Sequence, residues 1–138
     1  MEATELLAGM LRRTLFVIYS GPVAGVEPER GAAHFAEHLR HLMNWEQQGI
    51  LFAAGPFLEN GKATARAMYI LRAGSLDEAR SIASDEPLHR HGIREFTVDE
   101  WVLNQGRVSL TIDFSTQRGG LDGPPPSLHP NKNRQGAQ

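Results

Sequence analysis

The chain has 138 residues, a formal net charge of −2, 41% hydrophobic and 22% charged residues, and no cysteine. That balance describes one ordinary domain and excludes a disulfide framework, a thiol nucleophile and a zinc site built on thiolates. It leaves no global basic field for a phosphate backbone, so nucleic acid is not an expected partner. The longest apolar runs, such as 15–19, fall far short of the ~20 residues of a membrane helix. Glu2 and Glu5 ahead of a Leu-rich start are the reverse of a signal peptide's basic n-region. The expectation is a cytoplasmic domain with no membrane partner.

Residues 1–13 read as a short helix with Leu6, Leu7, Met10 and Leu11 on one side, or as a loose arm weakened by Gly9. TLFVIYS at 14–20 combines β-branched and aromatic residues and stops at Gly21-Pro22, the pattern of a buried strand. The clearest helix covers 28–48. Phe35, Leu39 and Leu42 form its stripe, widened by Met43, with Pro28 suited to the first turn and Gly49 to the C-terminal cap. A short strand at 50–54 closes at Gly55-Pro56, and Asn60-Gly61 marks a turn inside a loop longer than a minimal hairpin.

TARAMYILRA at 64–73 reads as a half-buried strand. Ser75 then opens a capping box, S-L-D-E, for a second helix with Ala79, Ile82 and Ala83 inside. Pro87 ends that helix by Asp85 or Glu86. A long strand follows at 93–103, with an irregularity expected after Val98, and RVSLTIDF at 107–114 alternates as a last strand. From Gln117 onward the chain is rich in Gly and Pro with almost no bulky residues, so 117–138 is expected to be a disordered tail.

The order β-α-β-β-α-β plus one strand predicts an α+β fold of ferredoxin-like plan, spanning 14–116, with both helices on one sheet face. TLFVIYS and AMYIL carry apolar residues on both sides, so the other face also needs cover. Two copies pressing those faces together would make a dimeric α+β barrel, and a homodimer is expected.

Five of the six histidines fall in two short segments: His34, His38 and His41, then His89 and His91. His34-Phe-Ala-Glu37-His38 satisfies the H-x-x-E-H pattern of inverted zinc peptidases, but the chain is too short to frame their second helix and cleft. A metal-dependent lyase using His34, His38 and His89 or His91 is a third-ranked reading, and the preferred one has no metal and no cofactor. His34 and His41 read as solvated positions. His38 borders the apolar stripe, where an imidazole can serve as a general base or sit as a satisfied structural group. Asp85 and Glu86 stand at the unfavourable negative end of a helix dipole, which makes sense beside an imidazole or cation. In the split plan the two helices lie side by side, so His38 and this acidic pair could meet. Tyr69, Trp45, Trp101, Phe52 and Phe57 read as core or interface, with one or two lining a pocket for a flat ring. No phosphate-binding Gly-rich loop, nucleophile elbow or dinucleotide fingerprint occurs.

His38 set eleven residues before Gly49, the A-G-P at Ala54-Gly55-Pro56, S-L-D-E-A-R, E-P-L-H-R-H-G and E-W-V-L-N-Q-G together resemble the YCII-related family over roughly 14–106. The resemblance implies dimeric α+β barrels of ferredoxin-like protomers, similar in fold to muconolactone isomerase. It also implies a His-Asp pair in a cleft between helices and sheet. His38 matches the family histidine. The acid stands directly before Pro in the family, where this chain has Glu86 rather than Asp, with Asp85 one residue earlier, so both are candidates. His89 fits a subset of the family. The implied activities are dehydrochlorination of a chlorinated hydroxyquinol and, at the level of fold, muconolactone-type isomerisation.

The resulting expectation is a cofactor-free isomerase or lyase acting on a small cyclic or aromatic-derived metabolite. His38, with Glu86 or Asp85, is the catalytic pair, and His89, Tyr69, Trp45, Gly55 and Pro56 line the substrate. Arg40 or Arg66 is a candidate donor to a developing oxyanion. The alternative is a non-catalytic dimeric domain that binds a small ligand in the same cleft.

Overall fold

Leu15, Phe16, Val17 and Ile18 are all buried, a run that suits the centre of a sheet covered on both sides. They lie in β1 (Arg13–Pro22), which pairs antiparallel with β3 (Lys62–Leu71) on one side and β4 (Arg94–Leu103) on the other. β2 (Leu51–Glu59) is an outer strand against β3, so the order is β2-β3-β1-β4. This is the expected ferredoxin-like arrangement, with β3 inserted between β1 and β2. The computed structural model describes residues 2–121.

Register decides which side chains meet the helices. Ile18 opposes Tyr69 and Val98, and Ser20 opposes Ala67 and Phe96. This face packs with Trp45 of α2 (Pro28–Gln47) and Ala83 of α3 (Leu76–Ser84) into the main core. Full burial of a side chain such as Ile18 or Leu71 contributes about 1.5–3 kcal/mol. The other face carries Leu15, Val17 and Ile70, with Met68 and Leu103 against them.

α2 turns differently from the stripe read in sequence. Its buried residues are His38 and Trp45, seven apart, whereas Phe35 is 48% exposed and Leu39 and Met43 are also exposed. A Phe-Leu-Met line outweighs one histidine in any hydrophobicity pattern. The histidine is nevertheless inside because a buried carboxylate receives it.

The β2–β3 connection is a minimal hairpin after all. Glu59 pairs with Lys62 across Asn60-Gly61, both at positive φ (51° and 78°), the geometry that a two-residue hairpin turn demands. β2 runs through Gly55-Pro56, which an outer strand tolerates. The irregularities fall in the β2–β3 ladder, not after Val98, since β1 and β4 pair without a shift from Arg13–Leu103 to Pro22–Arg94.

The N-terminal segment forms helix α1 (Ala3–Ala8), and a one-turn helix α4 (Pro87–Arg90), absent from the sequence reading, follows α3. Contacts divide the chain into a unit ending at Asn104 and another from Gln105. In the second, β5 (Leu110–Asp113) does not extend the main sheet. It pairs with β6 (Arg118–Leu121), which holds residues expected in the tail. The remainder of that tail lies outside the described residues.

Candidate active site

The centre of the site follows from one proline. Pro87 biases the preceding residue away from helix, and Glu86 is extended (φ −64°, ψ 132°) between α3 and α4. Pro87 then starts α4 at the position where its missing N–H costs nothing. Glu86 becomes the N-cap of α4, its Oε2 accepting the backbone N–H of His89 at 3.3 Å. The carboxylate thereby turns inward and is 0% exposed.

Its other oxygen, Oε1, lies 2.5 Å from Nδ1 of His38, which is 5% exposed. Burial alone would raise the Glu86 pKa, but the hydrogen bond and charge of His38, with the nearby His89, outweigh it and hold the carboxyl below its ordinary value of 4.5. The group is therefore an ionised acceptor. Nδ1–H of His38 donates to it, which leaves Nε2 as the basic nitrogen. Nε2 has no hydrogen-bond partner among the described residues.

A second set of polar groups lies beside this pair. His89 donates Nδ1–H to the Ala83 carbonyl at 2.7 Å, and its Nε2 accepts the Ser20 hydroxyl, also at 2.7 Å. Both ring nitrogens are occupied, and burial pushes the His89 pKa below 6.5, so this imidazole is neutral. The Tyr69 ring lies 6.1 Å from both His38 and His89. Burial raises its phenol pKa, and its oxygen accepts Arg94 Nη1–H at 3.3 Å. A cavity of about 300 Å³ has Phe35, Ala65, Leu88, Ile93 and Arg94 among its walls. Phe35 is 5.6 Å from the His38 ring and Arg94 holds Tyr69, so this cavity adjoins the pair. Its volume is at the lower end for small-molecule sites and suits a single ring. A cavity of about 380 Å³ meets the cluster through Ser20 and Phe96.

Of the two acids read from sequence, Glu86 reaches His38. Asp85 caps the C-terminus of α3 with a side chain 69% exposed, 3.6 Å from Arg90. Tyr69 and His89 join the cluster. Trp45 is core beneath it, edge-on to Tyr69 and His41. Gly55 and Pro56 are elsewhere: they line a groove of about 290 Å³ with Met68 and Ile70, side chains on the opposite sheet face from Tyr69 because strand residues alternate.

The set of His34, His38 and His89 or His91 is not assembled: among the described residues His34 and His91 come together with Glu37, while His38 Nδ1 and both His89 nitrogens are engaged elsewhere. His41 is not simply solvated, because its Nε2 is buried against Trp45. Arg40 is exposed, and Arg66 lies over Phe57, so the cation beside the cluster is Arg94. Arg94 and Ser20 were missed. The signal available for Ser20 was a hydroxyl in an otherwise apolar strand.

The family model describing the YCII-related domain matches residues 14–102. The chain is 36% identical over 72 residues to the uncharacterized protein YjpA of Bacillus subtilis (strain 168), across 52% of this chain and 80% of that one. Among solved structures it is similar to 5-chloro-2-hydroxyhydroquinone dehydrochlorinase from Burkholderia phenoliruptrix AC1100 in complex with 2,5-dihydroxybenzoquinone. The TM-score is 0.53 at 26% identity, covering 63% of this chain and 92% of that chain. The family match spans well over half of the sequence and falls on the four-stranded sheet and the His38–Glu86 pair, and the chain belongs to the YCII-related family.

Proposed function

We propose that the protein is a cofactor-free lyase or isomerase that moves a proton on a small, oxygenated ring compound. The observation that carries this reading is the buried His38–Glu86 pair, whose basic nitrogen has no hydrogen-bond partner among the described residues. His38 Nε2 takes a proton from the substrate, and the Glu86 carboxylate stabilises the imidazolium that forms. Such a base contributes about 10²–10⁴-fold to rate. Charge that develops on a substrate oxygen is met by Arg94 and the neutral Tyr69 phenol. In the elimination form, the electrons of the broken C–H or O–H bond expel a leaving group from the ring. In the isomerase form, the imidazolium returns the proton to another ring atom. The similarity to a dehydrochlorinase complexed with a dihydroxybenzoquinone supports a one-ring substrate and favours elimination.

Absorbance and NMR assays with chlorinated hydroxyquinols and with lactones test the reading. Turnover of one class, lost in both His38→Gln and Glu86→Gln, is the expected result. Full activity in both variants would overturn the assigned roles. Saturable binding across the panel with no chemical change would instead establish a binding domain.

A further inference from the structure

We propose that His34, Glu37 and His91 form a surface site for a divalent transition metal of the zinc class, separate from the His38–Glu86 pair. His34 and Glu37 are three residues apart on α2 and therefore share a face, and His91 caps the C-terminus of α4. One donor atom from each lies within 4.8 Å of the others. His34 Nδ1 is 3.2 Å from Glu37 Oε2, and His91 Nε2 is 3.7 Å from the same oxygen. Zinc bonds of ~2.0–2.1 Å in a tetrahedron place donors about 3.3 Å apart, so small side-chain adjustments suffice.

The three donor atoms face one another, and further contacts on other atoms hold the residues in place. Arg90 donates to Glu37 Oε1 at 2.9 Å, which fixes the carboxylate and leaves Oε2 as a single donor. Arg30 donates to the His91 carbonyl, also at 2.9 Å, which ties the end of α4 back to α2. The two imidazoles stack with centroids 3.9 Å apart, which brings one ring from α2 and one from the end of α4 to the same point. All three residues are part-exposed, so water can complete the coordination. Such an ion would fasten α2 to α4, the two elements that meet at His38 and Glu86, without using either residue.

The test is calorimetric titration of the untagged, chelator-treated full chain with zinc chloride, with ¹⁵N-imidazole NMR on the same samples. The expected result is one zinc per chain, a raised Tm, and ring shifts at His34 and His91. His34→Gln and His91→Gln should each weaken binding by about tenfold or more, and both positions are exposed enough for the variants to fold. Absence of binding at about 1 mM zinc, far above the affinity of built zinc sites, would overturn the proposal. So would affinity unchanged in the double variant, or zinc-induced shifts centred on His38.

Discussion

Glu86→Gln is the sharpest probe of the buried pair, because it keeps shape and removes charge. The carboxylate accepts from two donors at once, His38 Nδ1–H and the His89 backbone N–H. A carboxamide has one carbonyl oxygen and one NH₂, so it can serve only one. If the oxygen keeps the His89 N–H, the NH₂ faces His38 Nδ1 and drives the imidazole into the tautomer with Nε2 protonated. If it keeps His38, the first turn of α4 loses its cap. Loss of an N-cap costs about 1 kcal/mol, and replacing a charge-assisted hydrogen bond by a neutral one costs roughly another 1 kcal/mol. The expected loss is therefore about 1 kcal/mol if the cap is kept and about 2 kcal/mol if it is lost, and near 100 residues each kcal/mol shifts Tm by about 4–8 °C. Urea denaturation at pH 7 reads the stability, and ¹⁵N shifts of the His38 ring read the tautomer. In a turnover assay the wrong tautomer should cost about 10⁴-fold, the scale seen when a carboxylate that orients a histidine is made an amide. A stability change under about 0.5 kcal/mol, with Nε2 still unprotonated, would refute the reasoning.

Asp85→Asn is the matched control: its exposed side chain predicts a stability change within about 0.5 kcal/mol and unchanged turnover, and a loss as large as that of Glu86→Gln would reassign the acid. Acid should destabilise the fold in two stages. The folded His89 pKa lies below 6.5, so on descending through that pH the unfolded chain takes up a proton that the folded one refuses, and stability falls. The lowered Glu86 pKa adds a second loss below about pH 4.5, where the unfolded carboxyl protonates first. His89→Gln, able to donate to Ala83 and accept from Ser20, should remove the first stage, seen as urea midpoints that differ less between pH 7.5 and 5.5; an identical pH dependence would contradict the assignment. Ala65 sits at φ 64° on the cavity wall, which costs an L-residue about 1–2 kcal/mol. Ala65→Gly relieves that strain against about 0.4–1 kcal/mol of chain entropy, and a raised denaturation midpoint checks the net gain.

The parts legible in sequence were those with one dominant local cause. A run of β-branched and aromatic residues placed β1, alternation merging into an apolar run placed β3, the Ser75 capping box placed α3, and the order of elements gave the sheet topology. His38 and the acid before Pro87 were also readable, because residue type and spacing carry that signal. What failed depended on contacts made over long separations. The inward turn of α2 needs a carboxylate 48 residues away. An irregularity was expected in β4 after Val98 because its own pattern falters there, yet ten consecutive pairs to β1 hold it regular. Gly55-Pro56 looks like a stop to any local rule, but an outer strand has a free side on which a missing N–H is harmless. Arg94 had no signal at all, since its role exists only once register places it on the face that carries Tyr69.

Glu86, at the position where the family resemblance implies Asp before Pro, has a structural reading in the same terms. A carboxylate at this position must satisfy the cap of a one-turn helix and also reach an imidazole on a different element. Those two demands pull in different directions, and an extra methylene adds a rotatable bond with which to meet both. The 0% exposure of Glu86 means that the longer side chain is packed and not merely tolerated, so the added rotamer entropy is offset by contacts that hold one conformation. Because a single carboxylate ends α3, starts α4 and orients His38, folding of this turn and assembly of the base are one event. The free energy that orders the α3–α4 junction also pre-organises the proton acceptor.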